Sequence, residues 1–151
     1  TKAYEVKNAI RNGAQEIDVV AKIGAIKAHK WSLVREDVKA VVDATKIAGV
    51  TKDIITKVII ETCYLTDEEI VKVSKIIKKA GADFISTSTG FAEEDAITED
   101  VSLIRKTVGR SIGVKACGEI NDFDEALEML DAGANRIGTG LGINIVTGED
   151  D

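Results

Sequence analysis

Hydrophobic and polar positions along the chain fall into two alternating textures. Short β-rich runs occur at Glu16–Val20, Lys57–Glu61, Asp83–Ser86, Ile112–Lys115 and Arg136–Gly138. Their first residues lie 41, 26, 29 and 24 positions apart, close to the roughly 30-residue period of a βα unit. Ile17-Asp18-Val19-Val20 and Val58-Ile59-Ile60 have no polar face, which predicts parallel strands buried on both sides. The intervening segments carry helical stripes: Val34, Val38, Val41 and Val42; Ile70, Val73, Ile77 and Ala80; Val101, Ile104 and Val108. Thr66 with Glu69 predicts a capping box, and Asp122 with Glu125 an acidic analogue of it. Each helix is expected to stop at a glycine, namely Gly13, Gly49, Gly81, Gly109 or Gly133. Gly13-Ala14, Gly81-Ala82 and Gly133-Ala134 each lead quickly into a strand. The pattern predicts one α/β domain over residues 1–151, built of parallel βα repeats and beginning with a helix.

Composition narrows the function classes. With 26 acidic against 20 basic residues in 151, the formal charge is −6, which argues against a nucleic-acid or anionic-membrane partner. No apolar run approaches the roughly 18 residues of a membrane span, and Thr1-Lys2-Ala3-Tyr4 opens no signal peptide. Two cysteines without metal-like spacing exclude a disulfide scaffold and fit a reducing cytoplasm.

In a parallel α/β fold, chemistry gathers at the C-terminal ends of the strands. Asp18 sits inside an otherwise apolar strand, where a carboxylate costs several kcal/mol unless paired. It is either a structural ion pair or a general acid/base facing a lysine. Lys115, closing Ile112-Gly113-Val114, is the natural partner, and Lys57 is a third member of that cluster or a strand-edge lysine. His29, the single histidine, is expected at the surface, so no Ser-His-Asp or metal-cluster reading survives and no metal or cofactor is implied. Cys63 and Cys117 would be reactive only if facing a lysine and otherwise read as small buried thiols. Gly138-Thr139-Gly140-Leu141-Gly142 fits neither a P-loop nor a dinucleotide fingerprint.

Five motifs in order resemble the deoxyribose-phosphate aldolase family. They are Glu16-Ile17-Asp18-Val19-Val20; Lys57-Val58-Ile59-Ile60-Glu61-Thr62; Gly81-Ala82-Asp83-Phe84-Ile85 with Thr87-Ser88-Thr89-Gly90-Phe91; Gly113-Val114-Lys115-Ala116; and Gly133-Ala134 with Arg136-Ile137-Gly138. The resemblance implies a TIM barrel and a class I aldolase. Such an enzyme cleaves 2-deoxy-D-ribose 5-phosphate to acetaldehyde and glyceraldehyde 3-phosphate through a lysine Schiff base. It places Asp18 in proton shuttling and Lys115 as the second lysine, which tunes the reactive one. The Schiff-base lysine itself corresponds to Ser86, whose hydroxyl cannot form an imine. Substrate contacts would come from Thr89, Gly90, Gly118 and Gly138.

The phosphate-binding loops depart from the family pattern as well. Glu119 replaces the second glycine of a Gly-Gly pair, Asn121 an arginine, and Gly140 and Leu141 two serines. The loop after Phe91, often glycine-rich in the family, reads Ala92-Glu93-Glu94-Asp95. A carboxylate repels a phosphate, so Glu119 and the acidic stretch either argue against an anionic substrate or form a solvated acidic rim.

A TIM barrel takes ~250 residues and eight strands; the five runs here imply a partial barrel lacking the family's first three. Such a sheet would be rearranged to an open doubly wound form, covered in a homo-oligomer, or completed by a complementary fragment. The leading expectation is an aldolase-type lyase acting on a small aldehyde or sugar phosphate with lost or altered activity, Lys115 serving as an alternative amine. The competing expectation is a catalytically silent, self-associating scaffold, natural or engineered. A sugar-binding module built on Thr87, Ser88 and Thr89 is a more distant third.

Overall fold

The structure, a computed structural model, describes residues 1–48 and 53–148. Gly49 and the acidic residues 149–151 lie outside that range. Five strands form one parallel sheet in the order β1-β2-β3-β4-β5: Glu16–Val20, Ile55–Ile59, Phe84–Ser86, Gly113–Cys117 and Arg136–Gly138. Helices α1 (Lys2–Arg11), α2 (Ile23–Lys27), α3 (Trp31–Ala48), α4 (Asp67–Ala80), α5 (Thr98–Val108), α6 (Phe123–Asp131) and α7 (Gly142–Thr147) alternate with them, and a 3-10 turn covers Thr62–Tyr64. A doubly wound sheet reverses its strand order at a switch point. The strictly sequential order excludes that alternative and is the order of a barrel wall.

The wall is curved. Neighbouring strands lie ~4.8 Å apart, so β1 and β5 would stand roughly 19 Å apart in a flat sheet, too far for an arginine and a glutamate to meet. Yet Arg136 on β5 hydrogen-bonds Glu16 on β1, and Lys115 on β4 reaches Asp18 on β1 at 2.8 Å. The convex face buries Val58, Ile60, Ile85, Val114 and Ala116 against Val34, Val38, Ile70, Val73, Ile77, Val101 and Ile104 from the helices. Side chains of alternate residues share a face, so Glu16, Asp18, Lys57, Phe84, Ser86, Lys115 and Arg136 project to the concave side by register.

Local chemistry sets the elements. Thr66 and Glu69 form a complete capping box at the start of α4, and Asp122 accepts the Glu125 N–H at 2.8 Å to start α6. Glu69 also accepts from Lys27 at 2.8 Å and lies 3.2 Å from His29 Nε2. These bonds, Lys27 first, hold its carboxyl at about 2. His29 is exposed at a positive φ of 52° and stacks on Trp31. Gly81 closes α4 in the left-handed conformation. In α1 and α6 the closing residues are Asn12 and Ala132, with Gly13 and Gly133 one position later at positive φ. At the N-terminal ends of the strands, Arg105 binds three backbone carbonyls, Gly133 at 2.9 Å, Gly109 at 2.5 Å and Ile112 at 2.8 Å, as well as the Asn135 side chain.

Two expectations are corrected. β1 is not buried on both sides: it pairs only with β2, Ile17 is its one buried residue, and Asp18 is exposed. β2 ends at Ile59 rather than Glu61, because Glu61 adopts φ +55° and turns the chain.

Gly113 admits the Phe84 ring, since a Cβ there would stand 2.2 Å from it. Gly113→Ala should therefore lower stability by about 1–3 kcal/mol, with Phe84→Leu relieving most of the loss, both read by urea denaturation. Glu69 has a folded-state pKa below its ordinary 4.5, so its contribution is complete above pH 4.5 and fades as pH falls toward 2. Glu69→Gln should cost about 1–2 kcal/mol at pH 7, and the gap to the parent should shrink in acid.

Candidate active site

An alternating chain of charges lines the concave face. Arg136 binds Glu16; Glu16 lies 2.7 Å from Lys57; Lys57 lies 2.6 Å from Asp18; Asp18 lies 2.8 Å from Lys115. The expected grouping of Asp18, Lys57 and Lys115 is thus present. Glu16 and Arg136 belong to the cluster too, though neither was singled out from the sequence. For Glu16 the signal was there: it stands two residues before Asp18 in a strand and so shares its face. Arg136 lies 120 positions from its partner, and only the fold joins them. Its guanidinium also sits 4.7 Å over the Phe84 ring.

The two lysines differ in their surroundings. The Lys57 side chain is 6% exposed and held by two carboxylates, whereas that of Lys115 is 20% exposed and held by one. Burial pulls the Lys57 ammonium down, but its bonds to Asp18 and Glu16 outweigh burial and raise it. Burial pushes the Asp18 carboxyl up, and its bonds to Lys115 and Lys57 overcome that and hold it low. Gly138 gives Lys115 its room, since a Cβ there would meet Lys115 Cε at 2.9 Å and Cys117 Sγ at 2.8 Å.

Ser86 pairs with Ile59 on one side and Lys115 on the other. It is fully buried, and its Oγ has no hydrogen-bond partner among the described residues. Such an orphan usually carries an energetic cost. The Ser86 hydroxyl therefore stands beside the most accessible amine of the cluster, with nothing bonded to it.

The next residues are committed to holding loops. Thr87 Oγ1 accepts from Cys117 N–H at 3.1 Å and from the Ser88 hydroxyl at 3.2 Å. Thr89 donates its N–H and hydroxyl to Glu61 at 3.0 and 2.6 Å and accepts from Phe91 N–H at 3.1 Å. These internal bonds engage all three hydroxyls and leave a sugar-binding module built on them without support. Glu61, which the sequence marks only as the close of a strand, is buried at φ +55°, and fixes the loop bearing Thr89 and Gly90. Gly90 is at φ +83° with open space around it. Burial first, and then nearby carboxylates, push the thiols of Cys63 and Cys117 up, against the opposing pull of Lys115 on Cys117. Neither is an activated nucleophile. Among the described residues no group of His, Cys, Asp or Glu is placed to hold a metal ion, and no helix is long and apolar enough to cross a membrane.

Comparison with known proteins agrees with this geometry. Residues 1–148 match the model of the DeoC/LacD family aldolases. A deoxyribose-phosphate aldolase of Clostridium tetani is 55% identical over 145 residues, covering 96% of this chain and 65% of the relative. The solved structure of "QR15, an Aldolase" superposes with a TM-score of 0.88 at 43% identity, over 97% of this chain and 63% of that one. The deoxyribose phosphate aldolase of Aeropyrum pernix, described as tetrameric, gives a TM-score of 0.85 at 27% identity, over 96% and 59%. A curved parallel sheet with a lysine–carboxylate cluster on its concave face thus places the chain among barrel aldolases. It belongs to the DeoC/LacD aldolase family, resembles deoxyribose-phosphate aldolase strongly, and spans 65% of that Clostridium relative's length.

The charge cluster generates a pH window. Asp18 contributes stability above its ordinary 3.8 and loses it as pH falls through its lower folded value. Lys57 contributes below its ordinary 10.5 and loses it as pH rises through its higher folded value. Asp18→Asn should cost about 1 kcal/mol at pH 7, since it removes the partly exposed carboxylate that pairs with both Lys57 and Lys115. The deficit should be smaller at pH 3; urea midpoints at the two pH values measure both.

Proposed function

We propose that the chain carries an aldolase-type carbonyl site whose imine-forming amine is Lys115, with Asp18 as its proton carrier and Ser86 in place of the family's Schiff-base lysine. The Asp18–Lys115 contact at 2.8 Å carries this reading, because it joins the more accessible amine to a carboxylate able to take its proton. Lys57, enclosed by Glu16 and Asp18, orients Asp18 rather than attacking substrate.

Lys115 enters as ammonium and passes a proton to Asp18. The neutral amine adds to the aldehyde carbon, Asp18 returns its proton to the carbinolamine oxygen, and that oxygen leaves as water, giving an iminium beside a carboxylate. Asp18 then removes the proton of the β-hydroxyl, the adjacent C–C bond breaks, and a second aldehyde leaves. The enamine that remains takes up a proton at carbon, and water releases it from Lys115. Cleavage of 2-deoxy-D-ribose 5-phosphate should be far slower than in relatives with a lysine at that position.

A second reading, a catalytically silent scaffold, is favoured by Ser86 itself, which offers no amine. Among the described residues strands β1 and β5 each pair on one side only, and Ile143 and Val146 of α7 are largely exposed. Both features support self-association or a complementary segment along those edges. The continuity of the sheet supports reading residues 1–151 as one α/β domain.

Cyanoborohydride trapping with acetaldehyde, followed by peptide mass mapping, separates the two. The aldolase reading expects Lys115 to be alkylated at least about tenfold faster than surface lysines, and Asp18→Asn to slow it. Labelling of Lys115 at the surface rate leaves the silent scaffold. Ser86→Lys should move labelling to position 86, because the neighbouring Lys115 favours a neutral amine there.

A further inference from the structure

Two loops beside the cluster meet through a single side chain. Asp95, in the segment between β3 and α5, accepts the Glu119 backbone N–H through Oδ2 at 3.0 Å. Its side chain lies against Gly118, where a Cβ would stand 2.4–2.5 Å from Asp95 Cβ, Cγ and Oδ1. Gly118 is at φ +149°, a conformation that also resists any other residue. The adjoining Gly118 N–H donates to the Gly138 carbonyl at 3.1 Å. The Gly118 and Ile120 N–H groups are taken by backbone carbonyls, the latter by Gly118 at 2.9 Å, and a carboxylate of the same chain holds the Glu119 N–H between them, as a bound anion would.

Asp95 also belongs to the electrical surroundings of the cluster. The Cys117 thiol, two residues along β4 from Lys115, is pushed up by burial and then by Asp95, Asp18 and Glu61, while Lys115 pulls it down. Glu93, Glu94 and Glu119 add further negative charge on the same two loops. Among the described residues no cation is bonded to Asp95, whose hydrogen-bond donor is a neutral backbone amide.

We infer that Asp95 sets the charge specificity of the site. Its carboxylate acts as an internal anion on the Glu119 amide, so that the site admits uncharged carbonyl compounds and turns away phosphorylated ones. The assignment of carbonyl compounds rests on the aldolase reading above; the occupation of the amide by Asp95 does not.

The test has one arm for each part. Backbone amide NMR of the intact chain, titrated with inorganic phosphate, should show no saturable shift at Glu119 in the parent. Asp95→Gly should show one. A saturable shift in the parent, or none in a folded Asp95→Gly, overturns the inference. In the second arm, Lys115 is trapped with glyceraldehyde and with glyceraldehyde 3-phosphate. The parent should favour the uncharged aldehyde at least about tenfold, and Asp95→Asn, which keeps a hydrogen-bond acceptor and so guards against loop collapse, should reduce that ratio several-fold. An unchanged ratio overturns the inference even if Asp95→Gly does not fold. Phosphate binding to Asp95→Gly without any trapping at Lys115 sinks the aldolase reading and leaves the role of Asp95 at the amide standing.

Discussion

The ion chain from Arg136 through Glu16, Lys57 and Asp18 to Lys115 is the constraint on which the rest depends. Its members sit on β5, β1, β2 and β4, so it ties the first strand of the sheet to the last two across the concave face. Burying apolar side chains on the helix side favours some curvature but does not fix how much. The charges do, because each lysine must find its carboxylates within hydrogen-bond reach or sit unpaired among protein atoms. The concave face is therefore polar where a closed barrel interior is usually filled with branched apolar residues. Stability and chemistry share the same five side chains, and a substitution that alters one will disturb the other.

Much of the fold is legible in the residues. β1 and β5 run over the spans that their composition predicts, and the Thr66–Glu69 and Asp122–Glu125 signals start α4 and α6. These features are local: a cap, a period or a glycine at positive φ acts within a few residues. The shift of β2 by two residues has a local cause as well, but one that no propensity announces. Glu61 turns the chain in a conformation disfavoured for it, held by Thr89 from the next unit.

The site was only half legible. Asp18 stands out because a carboxylate among Ile17, Val19 and Val20 demands a partner, and Lys115 was the plausible one. Burial on both sides is not what demands it, since β1 is an edge strand whose carboxylate is partly open to solvent. The pairing survives because lysines surround Asp18, not because water is absent. The contacts of Glu16 with Arg136, Asp95 with Glu119 and Glu61 with Thr89 span 120, 24 and 28 positions. No periodicity reports contacts of that kind; they are set by strand order and loop path.

Arg105 carries a further consequence. It gathers carbonyls of Gly109, Ile112 and Gly133 together with Asn135 at the N-terminal ends of β4 and β5, while the loop residues Asp95 and Glu119 lie at the opposite ends of the strands. The molecule is thus anchored at one pole and carries its acidic loops at the other. Substitutions at 86, 95 or 119 leave the knot at the base untouched, so those positions can vary while the shape is kept.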